Sequence, residues 1–234
     1  MKMGTAVRNI SRSSGDKLRE LSEAGVATVH EAMGRVGLMN HYMRPIYSGA
    51  KIAGNAVTAL VHPGDNWMIH VAVELCNPGD VLVVAVSAEN YDGMFGDLLA
   101  TSLKAHGVAA LVIDAGIRDV TDLRQMEFPV WSRCISAKGT IKATLGTVNT
   151  PVICAGALVR GGDIIVADDD GVVVVPIQDV DATLDACRLR LAKEATKRER
   201  LASGELGLDI ENMRPTLEKL GLRYYERIED VERN

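Results

Sequence analysis

The side chains best suited to chemistry stand in two dipeptides, Gly96-Asp97 and Arg118-Asp119. Two carboxylates and a guanidinium can serve a cation and an anion together, provided that they meet in space. Twenty residues separate Asp97 from Arg118. Those residues read as a helix over 98–106, a break at Gly107 and an apolar strand over 108–113. At about 1.5 Å per helical residue the outward leg is about 15 Å long. At about 3.3 Å per strand residue the return leg is about 20 Å long. The two legs nearly cancel, so the spacing brings both aspartates and the arginine to the N-terminus of one helix. Free backbone N–H groups there favour an anion. The combination points to a divalent metal and a carboxylate-bearing substrate.

The elements that must position these residues follow from periodicity and breakers. Residues 16–33 read as one helix with an apolar stripe of Leu18, Leu21 and Val26, ended by Gly34 and Gly37. An alternating strand is expected over 50–61, and a short helix over 65–76 with Asp65 as its cap. The turn Pro78-Gly-Asp80 precedes a buried strand over 81–86, and a loop over 87–95 leads into Gly96. Beyond Asp119 a helix to Met126, a strand over 129–134, and mixed strand and loop to Cys154 are expected. The runs 162–167 and 171–176 flank Asp168-Asp-Asp170 as a hairpin with an acidic turn. A long charged helix over 178–203 and a shorter one near 215–220 close the chain. The alternation of strands and helices predicts an α/β fold in one domain spanning 1–234. Its helical C-terminal extension, 178–234, is polar enough to reach a neighbouring subunit.

Bulk properties narrow the function. The chain has 234 residues, 47% hydrophobic and 24% charged, with a formal net charge of −5. That charge gives no basic surface for nucleic acid, and 4% aromatics offers no platform for stacking bases. No apolar run has the length of a membrane span, and the first ten residues lack the apolar core of a signal peptide. Cys76, Cys134, Cys154 and Cys187 form no Cys-x-x-Cys pair. They are expected to be reduced, as in a cytoplasmic enzyme. His30, His41, His62, His70 and His106 lack zinc-site spacing. Neither a dinucleotide-binding glycine fingerprint nor a P-loop occurs.

The stretch Gly96-Asp-Leu-Leu99 … Val112-Ile-Asp-Ala-Gly-Ile-Arg-Asp119 resembles the signature of the 4-hydroxy-4-methyl-2-oxoglutarate and 4-carboxy-4-hydroxy-2-oxoadipate aldolases. The likeness extends over Ala27-Thr-Val-His-Glu-Ala32, Tyr42-Met-Arg-Pro-Ile46, Pro63-Gly-Asp-Asn-Trp67, Phe128-Pro-Val-Trp131, Asp168-Asp-Asp-Gly171 and Gly204-Glu-Leu-Gly-Leu208. It implies a layered α/β sandwich of the swivelling phosphohistidine-domain type, assembled as a homotrimer or homohexamer with sites between subunits. It also implies a class II retro-aldol enzyme that yields pyruvate plus pyruvate or oxaloacetate, with oxaloacetate decarboxylation as a side activity. Microbial breakdown of protocatechuate, gallate or lignin-derived aromatics is the implied setting. A related, shorter branch, the regulators of ribonuclease activity A, implies the alternative of a non-catalytic protein-binding role.

The chemistry implied by the resemblance divides the residues among tasks. Retro-aldol cleavage leaves a pyruvate enolate, and a class II enzyme stabilises it with a divalent metal. Asp119 is the implied ligand of Mg²⁺ or Mn²⁺, with water in most other positions. Arg118 would hold the keto or enolate oxygen, and backbone N–H groups across Gly96, Asp97, Leu98 and Leu99 would hold the substrate carboxylate. Asp97 would orient the water that takes the C4 hydroxyl proton. Glu31 and Glu194 are implied as further acids, Glu194 from another subunit, and Lys142 as a group for the distal carboxylate.

Each of these side chains also has a structural reading. Asp97 could be only an N-terminal helix residue, Asp119 could cap the next helix, Arg118 could sit in a surface salt bridge, Glu31 could be a solvated carboxylate, and Lys142 could be structural or solvated. Glu194 sits in Lys193-Glu-Ala-Thr-Lys197 as an ordinary i,i+3 charge pair. Asp168-Asp-Asp170 lacks the glycine and terminal glutamate of an EF-hand loop and reads as a turn. Asp114 follows the strand near the site without an evident role.

Overall fold

The computed structural model describes residues 2–231. The chain divides into two compact units, Met1–Arg188 and Leu189–Asn234. In chain order the first unit contains β1 (Thr5–Ala6), α1 (Gly15–Ala24), α2 (Val26–Ala32), β2 (Arg44–Pro45), β3 (Ile52–Val61) and α3 (Trp67–Leu75). Then come β4 (Val81–Val86), β5 (Gly93–Phe95), α4 (Asp97–Ala105), β6 (Ala110–Ile117), α5 (Val120–Gln125) and β7 (Val130–Ile135). The short strands β8 (Thr147–Val148), β9 (Val152–Cys154) and β10 (Ala157–Val159) precede the hairpin β11 (Ile164–Asp168) and β12 (Gly171–Val175). Helix α6 (Val180–Ala202) crosses the boundary between the units, and α7 (Gly207–Ile210), α8 (Arg214–Lys219) and α9 (Ile228–Val231) lie in the second.

Strands β3, β4, β6 and β7 pair in parallel as the centre of the main sheet. Their apolar runs are continuous because both faces are covered. Val57, Ala59, Val61, Leu82, Val84, Leu111 and Ile113 face a core with α3 and α4. Their neighbours Ala56, Val81, Val83, Ala85, Ala110 and Val112 face Val152, Cys154, Ala157 and Val159 of β9 and β10, and Ile165 and Val172 of the hairpin. The other hairpin face, with Ile164, Val166, Val173 and Val175, packs on Leu21, Val26 and Val29 of α1 and α2 and on Val180, Leu184 and Cys187 of α6. This last contact explains why the first unit extends to Arg188, past the residue 178 at which an extension was expected. The beginning of the long helix is core.

Three local expectations change. Residues 16–33 form two helices, because Gly25 (φ 82°) turns the chain and Asp168 Oδ2 accepts the Val26 N–H at 2.8 Å. The strand expected over 108–113 runs from Ala110 to Ile117, so it delivers Arg118 directly. Its later part, at Gly116 and Ile117, pairs with the short strand β5 inside the expected 87–95 loop. Among the described residues no disulfide joins the four cysteines, and Cys76, Cys154 and Cys187 are buried. Among the described residues no helix is long and apolar enough to cross a membrane.

Candidate active site

The helix–strand excursion closes as its spacing requires. The Arg118 N–H donates to Phe95 O at 2.8 Å, and the Asp97 N–H donates to Asp119 Oδ2 at 3.2 Å. Arg118 Nε lies 3.5 Å from the same carboxylate oxygen. Asp119 occupies the left-handed region (φ 57°, ψ 37°), which aspartate enters more readily than most residues. Its carbonyl starts α5 by accepting the Leu123 N–H at 3.0 Å, while its carboxylate turns away toward the N-terminus of α4. Asp119 therefore begins one helix with its backbone and faces the start of another with its side chain.

Gly96 is required at this meeting point for want of space. Its backbone is extended, but a Cβ there would stand 2.2 Å from Asp119 Oδ2 and 3.1 Å from Arg118 Cγ. The first bond of α4 runs from the Ala100 N–H to Gly96 O at 3.1 Å. The N–H groups of Leu98 and Leu99 thus precede the helical ladder and are oriented to receive an anion. The Asp97 N–H, expected to share that task, is instead given to Asp119. The Leu98 side chain is exposed and Leu99 is buried.

A cavity of about 90 Å³ opens at this helix end, lined by Gly96–Leu99, Arg118, Asp119 and Lys142, and also by Asn66 and His70. It is smaller than the roughly 300–1,000 Å³ usual for small-molecule pockets, so it has room for part of a substrate. An open groove of about 390 Å³ continues on Arg118 and Asp119, bordered by Val120, Thr121, Ile135 and Ser136. Arg118 is half-exposed and Asp119 about one-third exposed, which leaves both accessible to a ligand.

Asn66 and His70 were not singled out from the sequence, although Asn66 lies within the Pro63–Trp67 stretch. Asn66 Nδ2 donates to Met94 O at 3.0 Å, while its buried Oδ1 has no hydrogen-bond partner. Restricted solvation of the His70 ring, and then the Lys142 cation, lower its pKa from the ordinary histidine value. Lys142, an isolated lysine in the sequence, is brought to the cavity. Glu31 and Glu194 are not among the cavity-lining residues. Glu31 pairs with Arg35 across one turn at 3.0 Å. Glu194, on α6 in the second unit, pairs with Arg190 at 2.8 Å, one turn apart rather than with the lysine three residues on. Asp114 accepts from Tyr42 (3.0 Å), Arg133 (2.9 Å) and the Ala155 N–H (2.9 Å), which makes it a structural tie.

Among the described residues no three His, Cys, Asp or Glu side chains are grouped to hold a metal ion. That donor set does not fit a closed zinc centre. One carboxylate, with a second residue of the same kind in the cavity wall, fits a hard cation that retains most of its water, as Mg²⁺ does.

The architecture is a mixed α/β fold whose polar site is built at one helix N-terminus. The chain belongs to the RraA-like family, described as Aldolase/RraA, whose model matches residues 26–174. It is 25% identical over 199 residues to a Halalkalibacterium halodurans protein named "Putative 4-hydroxy-4-methyl-2-oxoglutarate aldolase", covering 85% of this chain and 95% of that one. A Burkholderia multivorans protein of the same name is 31% identical over 143 residues, covering 61% and 87%. The crystal structure of Streptomyces coelicolor RraAS2, described as an unusual member of the RNase ES inhibitor RraA protein family, superposes with a TM-score of 0.74. It is 28% identical, and the match covers 81% of this chain and 99% of that one.

Proposed function

We propose that this chain is a class II aldolase that cleaves 4-hydroxy-4-methyl-2-oxoglutarate or 4-carboxy-4-hydroxy-2-oxoadipate to pyruvate plus pyruvate or oxaloacetate. The observation that carries this reading is the meeting of Asp97, Arg118 and Asp119 at the start of α4, beside unladdered backbone N–H groups. Asp119 holds Mg²⁺ or Mn²⁺, which when bound supplies Lewis acidity toward a 2-oxo acid. The Leu98 and Leu99 N–H groups bind the substrate's C1 carboxylate. Arg118 bonds the 2-oxo oxygen and stabilises the negative charge that grows there as the C3–C4 bond breaks. Asp97 orients the water that accepts the C4 hydroxyl proton and afterwards returns a proton to C3 of the pyruvate enolate.

Oxaloacetate loses carbon dioxide through the same enolate, so the same residues support decarboxylase activity. Lys142 meets the distal carboxylate, and Glu31 and Glu194 complete the site in a homotrimer or homohexamer, Glu194 from another subunit. The reading places the protein in the cytoplasm, in the breakdown of aromatic compounds.

Steady-state assay with Mg²⁺ and racemic 4-hydroxy-4-methyl-2-oxoglutarate, following pyruvate by coupled reduction, tests the proposal. Pyruvate release that EDTA abolishes is expected. No release, or release indifferent to EDTA, overturns it. The likeness to Streptomyces coelicolor RraAS2, of the RNase ES inhibitor RraA protein family, favours a second reading, a protein-binding regulator of an RNA-degrading enzyme. That reading predicts no turnover and inhibition of such an enzyme by the purified chain.

A further inference from the structure

The segment bearing Lys142 has little of its own to hold it. Residues 142–146 contain no helix or strand, and Ile141 and Leu145 are 63% and 54% exposed, so core burial does not set their place. The Pro63-Gly-Asp-Asn-Trp67 stretch does. Asp65 is 2% exposed. Its Oδ1 accepts the Trp67 N–H at 2.9 Å and opens α3. Its Oδ2 accepts the N–H groups of Ala143 at 2.8 Å and Thr144 at 2.7 Å.

The backbone adds to the tie. The Ile141 N–H donates to Gly64 O at 2.9 Å, and the Asn66 N–H donates to Ile141 O at 3.1 Å. The residues on both sides of Lys142 are thereby pinned to the start of the helix that carries His70. A buried carboxylate accepting three N–H groups stays ionised at neutral pH. Burial alone would raise the Asp65 pKa, but the bonds from Trp67, Ala143 and Thr144 together hold it below the ordinary aspartate value.

We propose that Asp65 is a positioning residue whose carboxylate fixes the 141–144 segment and so sets the Lys142 ammonium at the mouth of the cavity. The consequence for turnover rests on the aldolase reading, in which Lys142 meets the substrate's distal carboxylate. The consequence for the segment itself does not.

The test uses the full chain with Mg²⁺ and the variants Asp65→Asn, Thr144→Pro, Lys142→Gln and the double variant Asp65→Asn/Lys142→Gln. Thr144→Pro removes the Thr144 N–H donor while leaving the carboxylate and its bond from Trp67 in place, and it serves if Asp65→Asn does not fold. Amide hydrogen exchange over residues 139–148 is expected to accelerate in Asp65→Asn and in Thr144→Pro, with exchange in β4 and β6 unchanged. Both variants are expected to raise KM roughly 10- to 100-fold, with a smaller change in kcat, as displaced positioning groups do. Asp65→Asn is not expected to add to the effect of Lys142→Gln, because it acts through that lysine. Unchanged exchange at 143 and 144 in Asp65→Asn, unchanged exchange at 143 in Thr144→Pro (which has no amide hydrogen at 144), or additive effects in the double variant, overturns the proposal. If the wild-type chain turns over none of the hydroxy-oxo acids, the aldolase reading falls. Exchange alone then decides whether Asp65 holds the segment.

Discussion

The two walls of the cavity are built by different means. Arg118 and Asp119 extend from the end of a central parallel strand whose neighbours pair on both sides, and Gly96 packs against them without room for a methyl group. Lys142 stands on a segment with exposed apolar side chains, held by backbone bonds and one buried carboxylate. The first wall is a product of the sheet and carries groups that must be placed closely. The second depends on a few hydrogen bonds and can be altered without disturbing the core. In the proposed aldolase, a site so divided can keep one reaction centre while the group that would meet the far end of the substrate changes.

Substitutions can break this contrast in graded steps. Asp119→Ala is expected to have the largest effect, loss of Mg²⁺-dependent turnover together with loss of metal binding by calorimetry. Arg118→Ala should lower kcat by about 10²–10³-fold, the usual effect of losing a donor to a developing oxyanion; a rate within a few-fold of wild type would refute its role. Gly96→Ala forces a methyl group against the Asp119 carboxylate. It should cost about 1–3 kcal/mol in denaturant unfolding, as overpacking does, with a disproportionate fall in kcat/KM.

On the weaker wall, Lys142→Gln should raise KM more than it lowers kcat. The same change should raise the His70 pKa while leaving it below the ordinary value, because only the smaller of its two causes is removed. A histidine with a lowered folded pKa binds fewer protons folded than unfolded. Its contribution therefore makes stability rise as pH increases from the folded toward the unfolded pKa. Imidazole shifts followed by NMR titration measure the change directly.

Glu194→Gln should have the smallest effect on stability, about 0.5 kcal/mol or less, since it breaks a partly exposed i,i+4 pair with Arg190. A fall in activity well beyond that stability loss would show Glu194 acting in the site of the assembled enzyme. Activity equal to wild type would remove it from the proposed set.

Much of the first wall was legible in the sequence. The lengths of the helix and strand between Asp97 and Arg118 had to cancel, and continuous apolar runs marked buried strands. Those are local regularities. The extent of β6 beyond residue 113 was hidden because Asp114 and Gly116 look like strand breakers. The fold accommodates both, Asp114 by bonds to Tyr42, Arg133 and the Ala155 N–H, and Gly116 by close approach to the 91–92 backbone. The break at Gly25 depended on Asp168, more than a hundred residues away in sequence.

The second wall was scarcely legible. Asp65 read as a helix cap; Asn66 holds that position instead, and Asp65 stands one residue earlier, where Oδ1 accepts the Trp67 N–H and the other oxygen binds backbone amides 78 and 79 residues later. Nothing in the local sequence marks such a bond, because any backbone N–H looks alike until the chain is folded. Asn66 and His70 enter the cavity for the same reason: α3 is placed by its apolar face on the sheet, and the polar residues on its other side face whatever the fold brings there. The sequence by itself determined which residues form strands and helices, and that one aspartate–arginine pair must return to another aspartate. Only the tertiary structure decided what faces them across the cavity, because that depends on long-range packing and on backbone hydrogen bonds without a sequence signature.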